Sequence, residues 1–181
     1  KNNNAKIIVC PSDHLINDNL KFKNLCLKAF NYLNIQSQIV TIGITPTSAH
    51  TGYGYIKTIK GKNNEITDVK EFKEKPDKKT AKKFLDSKTY LWNSGIFIFK
   101  SELIIQQFKL HLRKTYNSFE KILNNKKFDL TSCFSKIENI SFDYAILEKS
   151  KKIQVLKTNI GWNDLGSYSS LFKELKKTNF N

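Results

Sequence analysis

The chain has 181 residues, of which 39 % are hydrophobic and 12 % aromatic, enough for one globular domain with its own core and too apolar for a disordered chain. No apolar run approaches the ~20 residues a membrane-spanning helix needs. The formal net charge is +15, but of the 31 basic residues only Arg113 is arginine and the lysines are spread along the chain. That pattern favours a solvated surface over a nucleic-acid reader, which leans on the arginine fork.

The start, "KNNNAK", is polar and carries no signal-peptide pattern, which favours the cytoplasm. The chain contains no Met, so it reads as a piece of a longer protein. Lys6–Cys10 then reads as a buried strand. Over Asn19–Leu33, Leu20, Phe22, Leu25, Ala29, Phe30 and Leu33 recur at helical spacing, with Asp18 as N-cap. Gln38–Ile44 is a second strand, so the opening predicts a βαβ unit in a parallel sheet. After Pro46, "TGYGYIKTI" is a glycine-marked loop entering a strand, "KGKNNE" is a polar turn, and "ITDVKEFKEKP" is a strand that stops at Pro76. Tyr55–Lys75 is therefore an expected hairpin.

Asp77–Leu85 is expected as a short helix capped by Asp77. "LWNSGIFIF" is a strand with a glycine inside it. From Ser101 to about Lys149 the pattern is helical, in several pieces. Lys152–Leu156 is a late strand, "NIGWNDLGS" a loop, and Tyr168–Leu175 a closing helix. Cys10, Cys26 and Cys133 are too scattered for a metal motif and are expected as small buried hydrophobes. These elements predict one α/β domain built on a mixed, mostly parallel sheet.

Open α/β sheets bind ligands beyond the carboxyl ends of their strands. Asp13 stands at such an end, and Asp164 lies in a loop past a strand. Brought together they can hold one Mg²⁺, a hard ion that prefers oxygen; taken singly, each is better read as a turn or cap residue. "TGYGY" (Thr51–Tyr55) offers Gly52 and Gly54 for close backbone approach or for an ordinary turn. Glu74 can accept from hydroxyls and Lys75 can hold a phosphate as a point charge, although successive strand residues point to opposite faces and a solvated strand end is the plainer reading. Asn93 can bond a polyol or cap a turn. His111 reads as structural, and no GxxxxGK[ST] loop occurs.

The order of these segments is more specific than any one of them. "PSDH", "TIGITP", "TGYGYI", "EFKEKPD", "TAKKF", "YLWNSGIFIF", "SFDYAILEKS" and "GWNDLGSY" follow one another over nearly the whole chain. Together they resemble the mannose-1-phosphate guanylyltransferases, within the sugar nucleotidyltransferase superfamily. The resemblance implies a Rossmann-like α/β core and transfer of GMP from GTP to mannose 1-phosphate with Mg²⁺, giving GDP-mannose and diphosphate. It implies that Asp13 and Asp164 bind the metal and that the backbone of Gly54 faces the sugar. It further implies that Glu74 binds sugar hydroxyls, Lys75 steers the sugar phosphate and Asn93 lies near the sugar. Tyr53, Asp143 and Glu148 lie in matching motifs without an assigned role.

The family also carries a glycine-rich signature, roughly GGxGTRLWP, and a segment like GRNTAPA, and neither occurs here. The expectation is therefore the sugar-phosphate and metal part of a longer enzyme, inactive by itself, with no nucleic-acid or membrane partner. A homodimer is left open. The alternatives are another sugar-1-phosphate nucleotidyltransferase, with a different sugar or base, and a basic nucleic-acid-binding module without catalysis.

Overall fold

A computed structural model describes residues 4–59, 64–124 and 129–177. Residues 1–3 of the polar start and 60–63 of the "KGKNNE" turn lie outside the described residues. In chain order the elements are β1 (Lys6–Val9), β2 (Leu15–Ile16), α1 (Asn19–Ile35), β3 (Ile39–Ile44), β4 (Tyr55–Thr58) and β5 (Ile66–Lys73). They continue with α2 (Lys78–Ser87), β6 (Tyr90–Lys100), α3 (Ser101–His111), α4 (Arg113–Asn124) and α5 (Leu130–Phe134). A π-helical turn, Asp143–Leu147, precedes β7 (Ile153–Thr158), β8 (Trp162–Asn163) and α6 (Tyr168–Lys177).

The caps read from sequence are made. Asp18 accepts from the Lys21 N–H at 2.9 Å and Asp77 from the Thr80 N–H at 2.9 Å, each satisfying an orphan donor of a first helical turn. The core face of α1 is Leu25, Ala29 and Leu33, while Leu20 is exposed. Truncating Leu33, fully enclosed, to Ala costs on the order of 2–5 kcal/mol.

The main sheet runs β1-β6-β3-β7-β5-β4, and β4 also pairs with the start of β6, so the strand order returns on itself. The sheet is mixed, as expected, but not mostly parallel. Among the described residues only β3 and β7 pair in parallel; β1–β6, β3–β6, β4–β5, β4–β6 and β5–β7 are antiparallel. The expected βαβ unit is present in altered form. β1 and β3 run the same way, but β6 is inserted between them and pairs antiparallel with both. Local pattern reports a strand, a helix and a strand; it is silent about a third strand that enters from far along the chain.

The hairpin of β4 and β5 forms with Tyr55 opposite Lys73. The central strands β3 and β6 are buried at nearly every position because both faces are covered. Val40, Ile42, Ile44, Trp92, Ile96 and Ile98 pack with α1, whereas Ile39, Leu91, Phe97 and Phe99 pack with Leu103 of α3 and with Ala145–Leu147.

The reading of Lys6–Cys10 as a buried strand is corrected. β1 is the end strand of the order, paired among the described residues with β6 alone, and Ile8 and Val9 are 37 % and 45 % exposed. Cys10 lies beyond its end and is exposed, Cys26 is half-buried, and only Cys133 is buried. Apolar composition marks a strand's capacity for burial; a covering neighbour is what buries it. No helix among the described residues is long and apolar enough to cross a membrane.

Candidate active site

β1, β3 and β7 point the same way, so the segments leaving β1 and β7 emerge at one end of the sheet. They meet there as a small ladder in which Leu15 pairs with Asn163 and Ile16 with Trp162. Asp13 and Asp164 flank the same end of this ladder. The turn is tied down further by Asp18 N–H to the Ile160 carbonyl at 3.1 Å and by Lys21 Nζ to the Asn159 carbonyl at 2.8 Å. His14 accepts from Trp162 Nε1 through Nδ1 at 3.2 Å, so its place is structural.

Asn93 owes its position to an irregularity in β6. Thr41 pairs with Phe97 and Gly43 with Asn93, leaving Ile42 alone opposite Ser94, Gly95 and Ile96. Such bulges re-aim side chains beside functional sites. Gly95 sits at φ +73°, a conformation that disfavours other residues, and a Cβ there would stand 3.1 Å from Pro11. The bulge therefore also brings β6 against the turn that carries Asp13. Ser94 stitches it by donating to the Ile42 carbonyl at 2.7 Å.

The Asn93 amide is oriented by its partners. Oδ1 accepts from the Gly95 N–H at 3.3 Å and Thr41 Oγ1 lies 3.1 Å away, while Nδ2 donates to Asp143 Oδ1 at 3.0 Å. One N–H of Nδ2 remains without a partner among the described residues. The Asn93 backbone N–H donates to the Gly54 carbonyl at 2.8 Å.

Glu74 and Lys75 meet, against the alternation of an ideal strand. Lys75 takes φ +42°, so the chain is not extended there, and its Nζ lies 3.8 Å from Glu74 Oε1. Lys75 stays largely exposed and Glu74 is nearly enclosed. The Glu74 N–H approaches Glu148 Oε1 at 3.4 Å. Glu74, Asp143 and Glu148 thus crowd one another, and the Lys75 charge acts on Glu74 and Asp143. Burial, then the charge of Asp143, pushes the Glu74 carboxyl above its usual range, while Lys75 pulls the other way. Burial also raises Asp143, opposed by its own backbone hydrogen bond and by Asn93.

Tyr53 joins the two halves. Its hydroxyl donates to Asp164 Oδ1 at 2.8 Å, and its ring stacks on His50 at 3.8 Å and meets Trp92 and Trp162 edge to face at 5.0 and 5.2 Å. Burial and the neighbouring Asp164 raise its pKa well above the usual phenol value. Every site residue expected from sequence therefore lies in one connected set of contacts, except that the Asp13 carboxylate makes no hydrogen bond or ion pair among the described residues. Thr41, the bulge and the π-helical turn carry no signal readable along the chain; Tyr53, Asp143 and Glu148 stood in recognised segments without a role.

The donor set suits a hard cation held in part by others. Among the described residues no three or more His, Cys, Asp or Glu side chains are gathered into a metal cluster. Asp164 Oδ1 is occupied by Tyr53 and by the Gly166 N–H at 3.1 Å, while Oδ2 has no protein donor among the described residues. A Cβ at Gly166 would stand 2.8 Å from Oδ2, so glycine keeps that oxygen open. Asp13 and the open Oδ2 of Asp164 are oxygen donors of the kind a hard cation such as Mg²⁺ prefers.

The sequence profile described as nucleotidyl transferase matches residues 1–179. The chain belongs to the nucleotidyl transferase family. This nucleotidyl transferase chain is 36 % identical over 180 residues to the mannose-1-phosphate guanylyltransferase of Salmonella muenchen, covering 94 % of this chain and 37 % of that protein. It is 33 % identical over 186 residues to the Escherichia coli mannose-1-phosphate guanylyltransferase, covering 97 % and 40 %.

Among solved structures, it is similar to a Thermus thermophilus protein described as mannose-1-phosphate geranyltransferase. The TM-score is 0.85 at 25 % identity, over 94 % of this chain and 49 % of that one. A Helicobacter pylori protein described as mannose-6-phosphate isomerase gives 0.79 at 27 %, over 90 % and 65 %. The chain spans little more than a third of the length of the curated relatives it matches.

Proposed function

We propose that the chain is the sugar-phosphate- and metal-binding part of a mannose-1-phosphate guanylyltransferase. The enzyme transfers GMP from GTP to mannose 1-phosphate and releases diphosphate. The observation that carries this reading is the connection of two chemically distinct halves through adjacent residues. Tyr53 touches Asp164, and Gly54 touches both Asn93 and Glu74. The names of the relatives supply the sugar and the nucleotide, and the share of their length that is matched supports a part of a longer enzyme.

The chemistry asks little of a proton-transfer residue. A sugar phosphate is already an anion at neutral pH, so attack on the α-phosphate of GTP needs alignment and charge neutralisation. Glu74 accepts from sugar hydroxyls, and the fixed N–H of Asn93 donates to a sugar oxygen. The Gly54 backbone leaves room for the ring. Lys75, exposed at the rim, draws the sugar phosphate in. Asp13 and Asp164 would hold Mg²⁺, which when bound screens the phosphates' charge. The proposed compartment is the cytoplasm.

The test is diphosphate release by the full-length protein from GTP, mannose 1-phosphate and Mg²⁺, with Glu74→Gln and Asp164→Asn alongside. Turnover in the wild type and its collapse in both variants is expected. No release with GTP and mannose 1-phosphate, or release with another sugar 1-phosphate alone, would overturn the assignment.

A further inference from the structure

We propose that Tyr53 is a positioning residue of the cation site, pinning Asp164 Oδ1 so that Oδ2 stays free as a ligand, and tying that carboxylate to the sugar-binding loop. The inference rests on the cation reading of Asp13 and Asp164.

An aspartate in a loop has two free torsions, and ordering it when a cation arrives costs affinity. Here Oδ1 is held twice, by the Tyr53 hydroxyl at 2.8 Å and by the Gly166 N–H at 3.1 Å. The backbone bond alone comes from the same short turn and moves with it. The Tyr53 bond comes from a residue 111 positions away, so it fixes the turn relative to the sheet.

The tyrosine itself has little freedom. Its ring is stacked on His50 with 18° between the planes and enclosed edge to face by Trp92 and Trp162. Trp162 also bonds His14, the neighbour of Asp13. The cluster thus holds the Asp164 carboxylate directly and the backbone beside Asp13 through His14. On its other side, Tyr53 is followed by Gly54, whose carbonyl is bonded by Asn93 and whose Cα lies under the Glu74 carboxylate. Groups that orient a metal ligand from behind typically change metal affinity by about 10–100-fold when removed.

The experiment uses the full-length protein, with Mn²⁺ as probe and paramagnetic broadening of backbone amide signals around Asp13 and Asp164 as readout. Tyr53→Phe keeps the ring and removes the hydroxyl. It is expected to weaken Mn²⁺ binding about tenfold and to speed hydrogen exchange at the Gly166 amide. Replacement by 4-aminophenylalanine, which keeps a donor, is expected to restore both. A merely structural role would lower Tm without moving Mn²⁺ affinity. Binding lost in Asp164→Asn but unchanged in Tyr53→Phe would overturn the role of Tyr53 alone, as would failure of the amino analogue to restore it. No localised Mn²⁺ binding by the wild-type protein would overturn the cation reading and the role together.

Discussion

The Glu74 carboxylate stands where a side chain on Gly54 would begin. A Cβ at residue 54 would overlap Glu74 Oε2 and lie 3.2 Å from Phe72 and 3.3 Å from the Asn93 Cβ. The glycine is therefore required by the protein's own carboxylate before any ligand arrives. Gly54→Ala is expected to push Glu74 out of place and to overpack the site by about 1–3 kcal/mol. In a chain of this size that lowers Tm by roughly 2–12 °C. Under the proposed function, KM for mannose 1-phosphate in the full-length protein should rise more than the stability loss explains. Wild-type KM in a folded variant would refute the placement.

The fixed amide of Asn93 makes a second prediction. Asn93→Asp keeps the shape but puts a carboxylate oxygen against Asp143, which now receives a hydrogen bond from Nδ2. The variant is expected to lose about 1–3 kcal/mol at neutral pH. Pairing it with Asp143→Asn, which restores a donor–acceptor pair, should recover part of that loss. Urea unfolding of the two single variants and the double gives the coupling energy, and strict additivity would count against the contact.

Lys75 separates backbone strain from charge. A non-glycine residue at φ +42° carries a conformational cost. Lys75→Gly should therefore be more stable than Lys75→Ala by about 1 kcal/mol, although both remove the same cation. Under the proposed function, both should lose sugar-phosphate affinity alike in the full-length protein. Equal stabilities of the two variants would remove the strain argument, and different affinities would show that more than the charge was lost.

The carboxylates of Glu74 and Asp143 give a pH dependence. Both titrate above their ordinary values, so the folded chain binds their protons more tightly than the unfolded chain. Their contribution to stability falls as pH rises from the ordinary carboxylate range through the raised folded values, and it recovers as pH falls back. Asp143→Asn removes one of these groups and one cause of the shift at Glu74, and its amide oxygen can still accept from Asn93. Measured by urea unfolding from about pH 4 to about pH 7, the variant should gain on the wild type as pH rises. A variant-minus-wild-type stability that stays constant or falls as pH rises would contradict the crowding of the carboxylates.

The sequence by itself determined the local elements and the chemical vocabulary. Helix caps at Asp18 and Asp77, the β4–β5 hairpin and the apolar run of β6 depend on neighbours within a few residues, and all are present. The ordered motifs also named Asp13, Gly54, Glu74, Lys75, Asn93 and Asp164 as a set. What only the tertiary structure decided is the direction of pairing and the contacts that connect those residues other than Asp13. A strand's apolar pattern is the same whether its neighbour runs parallel or antiparallel, so the insertion of β6 between β1 and β3 left no local trace. Likewise Cys10 looks buried along the chain and is exposed, because burial requires a partner surface. Tyr53 and Asp164, far apart along the chain, meet at 2.8 Å because strands that point one way deliver their loops to one end of the sheet. That convergence is a property of the whole packed chain, and no window of sequence contains it.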